Sequence, residues 1–339
     1  MLLSVIIPTR NRVKRLADLL DSLAGQDPVP FEWEAIVVDN ASTDDTAAVT
    51  RQKSQAFPIP IRYVLETRLG LHYGRHRGAR EARGDYVGYL DDDMILAPTW
   101  VQGVQWLAED RADAVVGRVL PKWETTPPDW LLTMIQDGVY AYLSLLDLGP
   151  ISKPVNPLMV FGCNCFLPKR LIFELGGFHP DGFPPDLVRY RGDGETALMR
   201  KFEAAGLRAW YDPRATAYHI IGSERLTVEY LCERACKQGV SDSFAQIRAA
   251  HLEDQPYNDR RSLGYYVGRA KEMSLSELLQ AVTGRFKHLI QYIISPAHIK
   301  IHKRIRAAYL EGWQFHQNVV RNDPELFKYV LRDNYLDED

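Results

Sequence analysis

Asp91, Asp92 and Asp93 follow one another directly after a short apolar run, Tyr86-Val87-Gly88-Tyr89-Leu90. Adjacent carboxylates repel one another, so something at this position must compensate them. A hard divalent cation shared with a phosphate-bearing ligand would do so, because Mg²⁺ takes one or two protein carboxylates and completes its shell with phosphate and water oxygens. The plain alternative is a solvated acidic turn capping a strand. Other residues have types suited to the same chemistry. Asp39, at the end of the apolar run 31–38, can accept hydrogen bonds from a ribose or base edge. Arg75 lies early in the basic, glycine-punctuated stretch 70–80, and guanidinium groups recognise phosphates and planar bases alike. Asp193 and Glu195 flank Gly194 where a helical pattern opens. Either is a candidate general base, and either is equally explained as an acid favoured by a helix N-terminus. His219 closes an apolar run, a position where a lone histidine is usually structural.

The elements that must position these groups read as alternating strands and helices. Leu2 to Pro8 is a strand, followed by Thr9-Arg10-Asn11-Arg12 and a helix with Val13, Leu16, Leu19, Leu20 and Leu23 on one face. Strands are expected at 31–38, 61–65, 86–90, 114–120 and 163–167, with 86–90 as a buried parallel strand. Helices are expected at 99–109 and 169–175, and Ser42 to Thr46 supplies capping chemistry for a helix after strand two. Residues 207–211 and 216–218 read as a final strand pair. In an open α/β sheet ligands bind outside the carboxyl ends of the strands, which is where Asp39 and the Asp triplet fall. The first turn lacks the G-x-G-x-x-G of a dinucleotide fold, and no P-loop pattern occurs anywhere. Residues 121–157 form an irregular insert whose Trp123, Trp130, Tyr140 and Tyr142 make either an aromatic platform or a small local core. From Ser223 to about Val330 the pattern is helical.

The chain of 339 residues is long enough for a large α/β domain, taken as 1–225, and a helical region, 226–339. Its 46% apolar and 25% charged residues are those of an ordinary globular protein. A net charge of -3 argues against nucleic-acid binding driven by bulk charge. No apolar run approaches the ~18 residues of a membrane span, and the opening strand does not resemble a leader, so a cytoplasmic protein is expected. Residues 286–309 mix apolar and basic groups and suit either a membrane surface, and so a peripheral location, or packing, including a homodimer contact. Cys163, Cys165, Cys232 and Cys236 lack the usual two-residue zinc-ligand spacing and are expected as reduced thiols.

The ordered series Ser4-Val5-Ile6-Ile7-Pro8-Thr9, Val37-Val38-Asp39-Asn40-Ala41-Ser42, Gly74-Arg75-His76-Arg77-Gly78 and Leu90-Asp91-Asp92-Asp93 resembles the nucleotide-sugar half of family 2 glycosyltransferases of the GT-A fold. The likeness continues through Phe161-Gly162-Cys163-Asn164, Gly176-Gly177-Phe178, Gly194-Glu195 and 213–219, and covers about residues 1–225. It implies a Rossmann-like mixed sheet flanked by helices. It also implies inverting transfer of a sugar from a nucleoside diphosphate, most often UDP, to a saccharide, lipid-linked or small-molecule hydroxyl, with Mn²⁺ or Mg²⁺.

By the resemblance Pro8, Thr9, Arg10, Asp39 and Arg75 hold the nucleotide. Asp91 lies toward the ribose and metal, Asp92 lies behind, Asp93 is the direct metal ligand, and His219 completes the metal or pyrophosphate shell. Family members commonly read Glu-Asp-x-Asp-Leu where this chain reads Asp193-Gly194-Glu195-Thr196-Ala197-Leu198. Counting back from Leu198 makes Glu195 the base, with Asp193 the alternative. Two rivals are weighed: a non-catalytic nucleotide-sugar binder, and a sugar-1-phosphate nucleotidyltransferase, whose Gly-rich first loop is missing here. The absence of a Q-x-x-R-W motif disfavours a processive membrane synthase.

Overall fold

A computed structural model describes residues 1–136, 138–252, 296–332 and 334–336. Two compact units are present: 1–127 with 140–225 and 332–339, and 128–139 with 226–331.

The larger unit is built on a mixed sheet of nine strands among the described residues. Its elements are β1 Leu2–Thr9, α1 Val13–Ala24, β2 Glu32–Asp39, α2 Thr46–Ser54, β3 Ile61–Leu65, α3 Leu71–Glu81, β4 Tyr86–Leu90, β5 Met94–Leu96, a 3₁₀ turn Trp100–Val104 running into α4 Gln105–Ala108, and β6 Ala114–Trp123. After the helical turn α5 Asp129–Gln136, which belongs to the smaller unit, come β7 Lys153–Val155, β8 Asn164–Pro168, α6 Lys169–Glu174, α7 Glu195–Ala204 and β9 Ala209–Ile221. The strand order is β3-β2-β1-β4-β8-β6-β9-β5, with β7 on β9. β1 pairs in parallel with both β2 and β4, placing Thr9 beside Asp39 and Ile6 between Ile36 and Tyr89.

That central position explains the sequence of β1: Leu3, Val5, Ile6 and Ile7 are wholly buried because both sheet faces are covered. On α1 the stripe of Leu16, Leu19, Leu20 and Leu23 is likewise fully buried. α3 crosses β1 so closely that a Cβ on Gly78 would meet Cγ2 of Ile6 at 2.2 Å. Only a glycine lets that helix, and Arg75 on it, sit this near the strand.

Several expectations change in detail. β4 is parallel to β1 but antiparallel to β8, so it lies at the switch between the two halves of the sheet. Instead of one helix over 99–109 there is a 3₁₀ turn and a short α4, because Trp100 is pulled into the core. Its Nε1 donates to Asn164 Oδ1 at 2.7 Å and its ring lies 4.7 Å from that of Phe166. The expected pair 207–211 and 216–218 is one strand, β9, whose pairing with β6 shifts register between Gly117 and Val119. Pro213 cannot donate to a ladder, and the pairing with β6 lapses after Asp212 and resumes at Ala217 within the same strand. His219 is therefore inside a strand, opposite Met94 and Pro121, rather than at its end. Capping after β2 also differs: Asp44 accepts from Thr46 N and from Val13 N, while Ser42 Oγ accepts from Asn11 N. Trp123, Trp130 and Tyr142 are half-buried and Tyr140 is exposed, so these aromatics do not form a buried core.

In the smaller unit α8 Val228–Leu252 and α9 Pro296–Asn322 lie side by side, and α10 Pro324–Val330 follows. The contacts Glu229 to Arg304, Asp242 to Tyr309 and Ser243 to His316 keep a similar offset, so the two long helices run in the same direction. Gly239 and Gly312 let their backbones touch: a Cβ on Gly239 would lie 2.1 Å from the Tyr309 carbonyl, and one on Gly312 2.0 Å from that of Cys236. Residues 286–295 of the apolar and basic segment lie outside the described residues. No described helix is long and apolar enough to cross a membrane.

Candidate active site

The carboxyl ends of β1, β2 and β4 bring together Thr9, Asp39 and the Asp triplet. Thr9 Oγ1 donates to Asp92 Oδ2 at 2.7 Å, joining the first strand end to the triplet. Asp39 is buried and fixed on both oxygens, accepting from Ser42 N and from Tyr63 Oη, each at 2.8 Å. Burial, then the hydrogen bond to Asp39, pushes the Tyr63 hydroxyl up to about 12, so this phenol stays a donor. Pro8 packs under Gly74 of α3, and Arg10 stands exposed on the following turn.

Arg75 projects from the first turns of α3 and is 3% exposed. Its Nη1 lies 3.3 Å from Glu195 Oε2 and its Nη2 lies 3.7 Å from Asp91 Oδ1. The guanidinium sits over the Phe178 ring at 5.1 Å, and its Nε is buried with no hydrogen-bond partner. Glu195 opens α7, and its Oε1 faces Gly162 N at 3.4 Å. Asp193 is used differently. Both its oxygens are engaged in a buried cluster, Oδ1 with His179 Nδ1 at 2.7 Å and Oδ2 with Arg200 Nη1 at 3.2 Å. Neither acid caps α7 through its side chain.

Asp93, in the turn just before β5, meets His219 of β9, with Nε2 to Oδ2 at 3.3 Å. The Leu143 carbonyl, 2.7 Å from His219 Nδ1, keeps a proton on that nitrogen. When the ring is protonated it donates to Asp93. When it is neutral, Nε2 offers a lone pair, at present facing Arg225 Nη1 at 2.6 Å. Arg225 Nη2 also lies 2.7 Å from Asp93 Oδ2, and Arg12 Nη1 lies 3.1 Å from that oxygen and 3.0 Å from Asp92 Oδ1. Burial works to raise the Asp93 carboxyl, but His219, Arg225 and Arg12 outweigh it and hold the group well below the usual carboxylate range. Asp92 goes the other way: burial lifts it to about 6 against the pull of Arg12. Burial also raises Asp91, opposed by Arg75.

Arg12 and Arg225 were not singled out by sequence reasoning. Arg12 stands in the basic turn after β1, but nothing in that turn indicates its partner. Arg225 follows β9 in a stretch without any motif. All four cysteines carry free thiols, Cys163 and Cys165 buried and Cys232 and Cys236 half-buried. Among the described residues no group of three or more His, Cys, Asp or Glu side chains is arranged to hold a metal alone. The donor set at Asp93 and His219, oxygen plus imidazole nitrogen, nevertheless fits a divalent cation completed by a ligand's phosphate oxygens, Mn²⁺ better than the oxygen-preferring Mg²⁺.

A mixed sheet of this order, with a carboxylate triplet at the end of β4 and helices on its faces, has the GT-A fold. The mannosyltransferase PcManGT from Pyrobaculum calidifontis, solved with GDP-Man and Mn²⁺, shares the fold at a TM-score of 0.58 and 20% identity, over 91% of this chain and 86% of that one. GalNAc-T7, solved with UDP, GalNAc and Mn²⁺, follows at 0.51 and 18% identity, over 77% of this chain and 52% of that one. Residues 4–173, half of the chain, match the family model of Glycosyl transferase family 2, and the chain belongs to that family. Among curated relatives, validoxylamine A glucosyltransferase of Streptomyces hygroscopicus subsp. limoneus is 38% identical over 105 residues, 30% of this chain and 23% of that protein. The poly(ribitol-phosphate) beta-N-acetylglucosaminyltransferase TarS of Staphylococcus aureus (strain Mu50 / ATCC 700699) is 31% identical over 154 residues, 42% of this chain and 26% of that protein. The chain thus spans about a quarter of the length of these relatives.

Proposed function

We propose that this glycosyltransferase moves a sugar from a nucleoside-diphosphate sugar, with UDP the favoured nucleotide, to an acceptor hydroxyl with inversion at the anomeric carbon. One observation carries the reading: a single buried guanidinium, Arg75, spans Asp91 of the triplet and Glu195 on α7. It ties the donor end of the site to a carboxylate able to act as base. Asp39, with both oxygens held in place, presents a fixed acceptor edge to a base or ribose.

A divalent cation held by Asp93 and His219, with Asp91 toward it, would neutralise charge developing on the departing diphosphate. Glu195 takes the proton from the acceptor hydroxyl as that oxygen attacks. Asp193 is the weaker candidate, because its side chain is only 7% exposed and closely held by His179 and Arg200, whereas that of Glu195 is 27% exposed. Thr9 and Arg75 convert binding of the unreactive nucleotide into orientation of the sugar. The names of the curated relatives, a glucosyltransferase and an N-acetylglucosaminyltransferase, support hexosyl transfer. The ligands named with PcManGT and GalNAc-T7, a GDP-sugar and UDP each with Mn²⁺, are compatible with the donor class and the cation. The acceptor is taken as a saccharide, lipid-linked or small-molecule hydroxyl, met by a cytoplasmic enzyme.

The test is donor hydrolysis across UDP-, GDP- and dTDP-sugars with and without Mn²⁺, alongside calorimetry of the nucleotides. Metal-dependent UDP binding with slow hydrolysis of one UDP-sugar is expected. Nucleotide binding indifferent to metal, with no donor hydrolysed, would overturn the reading.

A further inference from the structure

We infer that Arg225, assisted by Arg12, competes with a cation for Asp93 and His219 and yields to it only when a diphosphate arrives with the metal. This rests on the reading of Asp93 and His219 as the metal-binding pair. One guanidinium, that of Arg225, reaches both atoms a cation would bridge, Asp93 Oδ2 at 2.7 Å and His219 Nε2 at 2.6 Å. Arg12 supplies a second N–H to the same Oδ2 at 3.1 Å. The oxygen and nitrogen that a metal needs are thus already committed to donors.

The charge balance points the same way. Asp91 faces Arg75, Asp92 faces Arg12, and Asp93 faces Arg12 and Arg225. With Glu195 also on Arg75, four carboxylates meet three guanidiniums, so most of the negative field that would draw in a free dication is already offset. A dication entering alone must also break charge-assisted hydrogen bonds and then lie beside two like charges. A nucleoside diphosphate removes both obstacles, because its oxygens accept the released guanidiniums in the forked geometry arginine prefers. Both arginine side chains are more exposed than Asp93, at 16% for Arg225 and 47% for Arg12 against 5%, so the exchange moves the guanidiniums rather than the carboxylate. Metal and nucleotide then bind cooperatively, each tightening the other by the same factor.

The experiment is a Mn²⁺ titration of the full chain, followed by the electron paramagnetic resonance of free Mn²⁺, without nucleotide and with UDP. Wild type is expected to bind Mn²⁺ poorly alone and well with UDP. Arg225→Gln should bind Mn²⁺ alone roughly tenfold more tightly, the scale of one part-buried charge contact, and should gain less from UDP. Arg12→Gln, at a more exposed position, should move the same way by a smaller factor. If both variants bind Mn²⁺ alone as wild type does, and still bind it well with UDP, the arginine exchange is wrong and the proposed function stands. If no form binds Mn²⁺ even with UDP, the metal-binding role of Asp93 and His219 falls, and the exchange with it.

Discussion

Glu195 Oε2 lies 3.3 Å from Nη1 of Arg75, and Nη2 of the same guanidinium lies 3.7 Å from Asp91. The two contacts join the start of α7 to the end of β4 through a side chain rooted in α3. A shift of the guanidinium would loosen its contact with both carboxylates. Glu195 is 27% exposed and Asp91 31%, so each still has a face open to a ligand.

Glu195→Gln keeps the side chain's shape and its oxygen for Gly162 N, but it cannot take up a proton. Turnover should fall by about 10²- to 10⁴-fold while donor affinity stays near wild type. Single-turnover transfer and calorimetry separate the two quantities. Asp193→Asn should instead lower the melting temperature, because it weakens a buried contact with His179 and Arg200. A dead Asp193→Asn of normal stability, beside a fully active Glu195→Gln, would reverse the assignment.

Arg75→Met removes the charge that Asp91 and Glu195 share. Breaking a fully buried pair costs about 3–5 kcal/mol, and the partial exposure of both acids argues for the lower end or somewhat below. Arg75→Lys restores the charge but not the fork, so it should recover part of the stability and little of the nucleotide affinity. Denaturant unfolding and UDP calorimetry on both variants check this. Equal UDP affinity in wild type and Arg75→Lys would show that the fork does not hold the nucleotide.

Much of this arrangement was legible because local periodicity and one topological rule suffice for it. Leu16, Leu19, Leu20 and Leu23 mark the buried face of α1, and Thr9, Asp39 and Asp91 fall at strand ends where α/β sheets place ligands. What escaped depends on contacts with no local trace. Arg12 and Arg225 reach Asp93 across 81 and 132 residues of chain, and nothing near either names that partner. Asp193 and Glu195 have the same type and nearly the same position, so only their surroundings separate them. The continuity of β9 is hidden by Pro213, which interrupts the ladder without ending the strand because β5, β6 and β7 pair along it on either side.

Acid should weaken the larger unit through α3. His72 is wholly buried, and desolvation holds its imidazole at about 3, only partly opposed by the Asp181 carbonyl. The folded value lies below the ordinary 6.5, so the unfolded chain takes the proton first as pH falls. The stabilisation is therefore complete above about 6.5 and is lost between there and about 3, at up to about 1.4 kcal/mol per pH unit. His76, also held well below its ordinary value by burial, steepens the loss. His72→Phe can keep the aromatic contacts with Tyr73 and Phe183 and should flatten the dependence of unfolding free energy on pH between 7 and 5. An unchanged slope would show that His72 does not titrate with unfolding.

Gly162 tests whether the position of Arg75, rather than its mere presence, matters. A Cβ added there would lie 2.5 Å from Nη2, 2.6 Å from Cζ and 2.7 Å from Nη1 of Arg75, closer than real contacts allow. Gly162 N also donates to Glu195 Oε1 at 3.4 Å, so any movement of this backbone would reach Glu195 as well. The obstructing atoms are the far end of a side chain, which can shift where backbone cannot. Gly162→Ala should therefore fold with a modest loss of about 1–3 kcal/mol, as for overpacking elsewhere. Nucleotide affinity and turnover should fall together, because the displaced guanidinium leaves both Asp91 and Glu195. Unfolding curves, UDP calorimetry and transfer rates on one preparation decide it: a stable variant with wild-type affinity and rate would mean that the site tolerates Arg75 elsewhere.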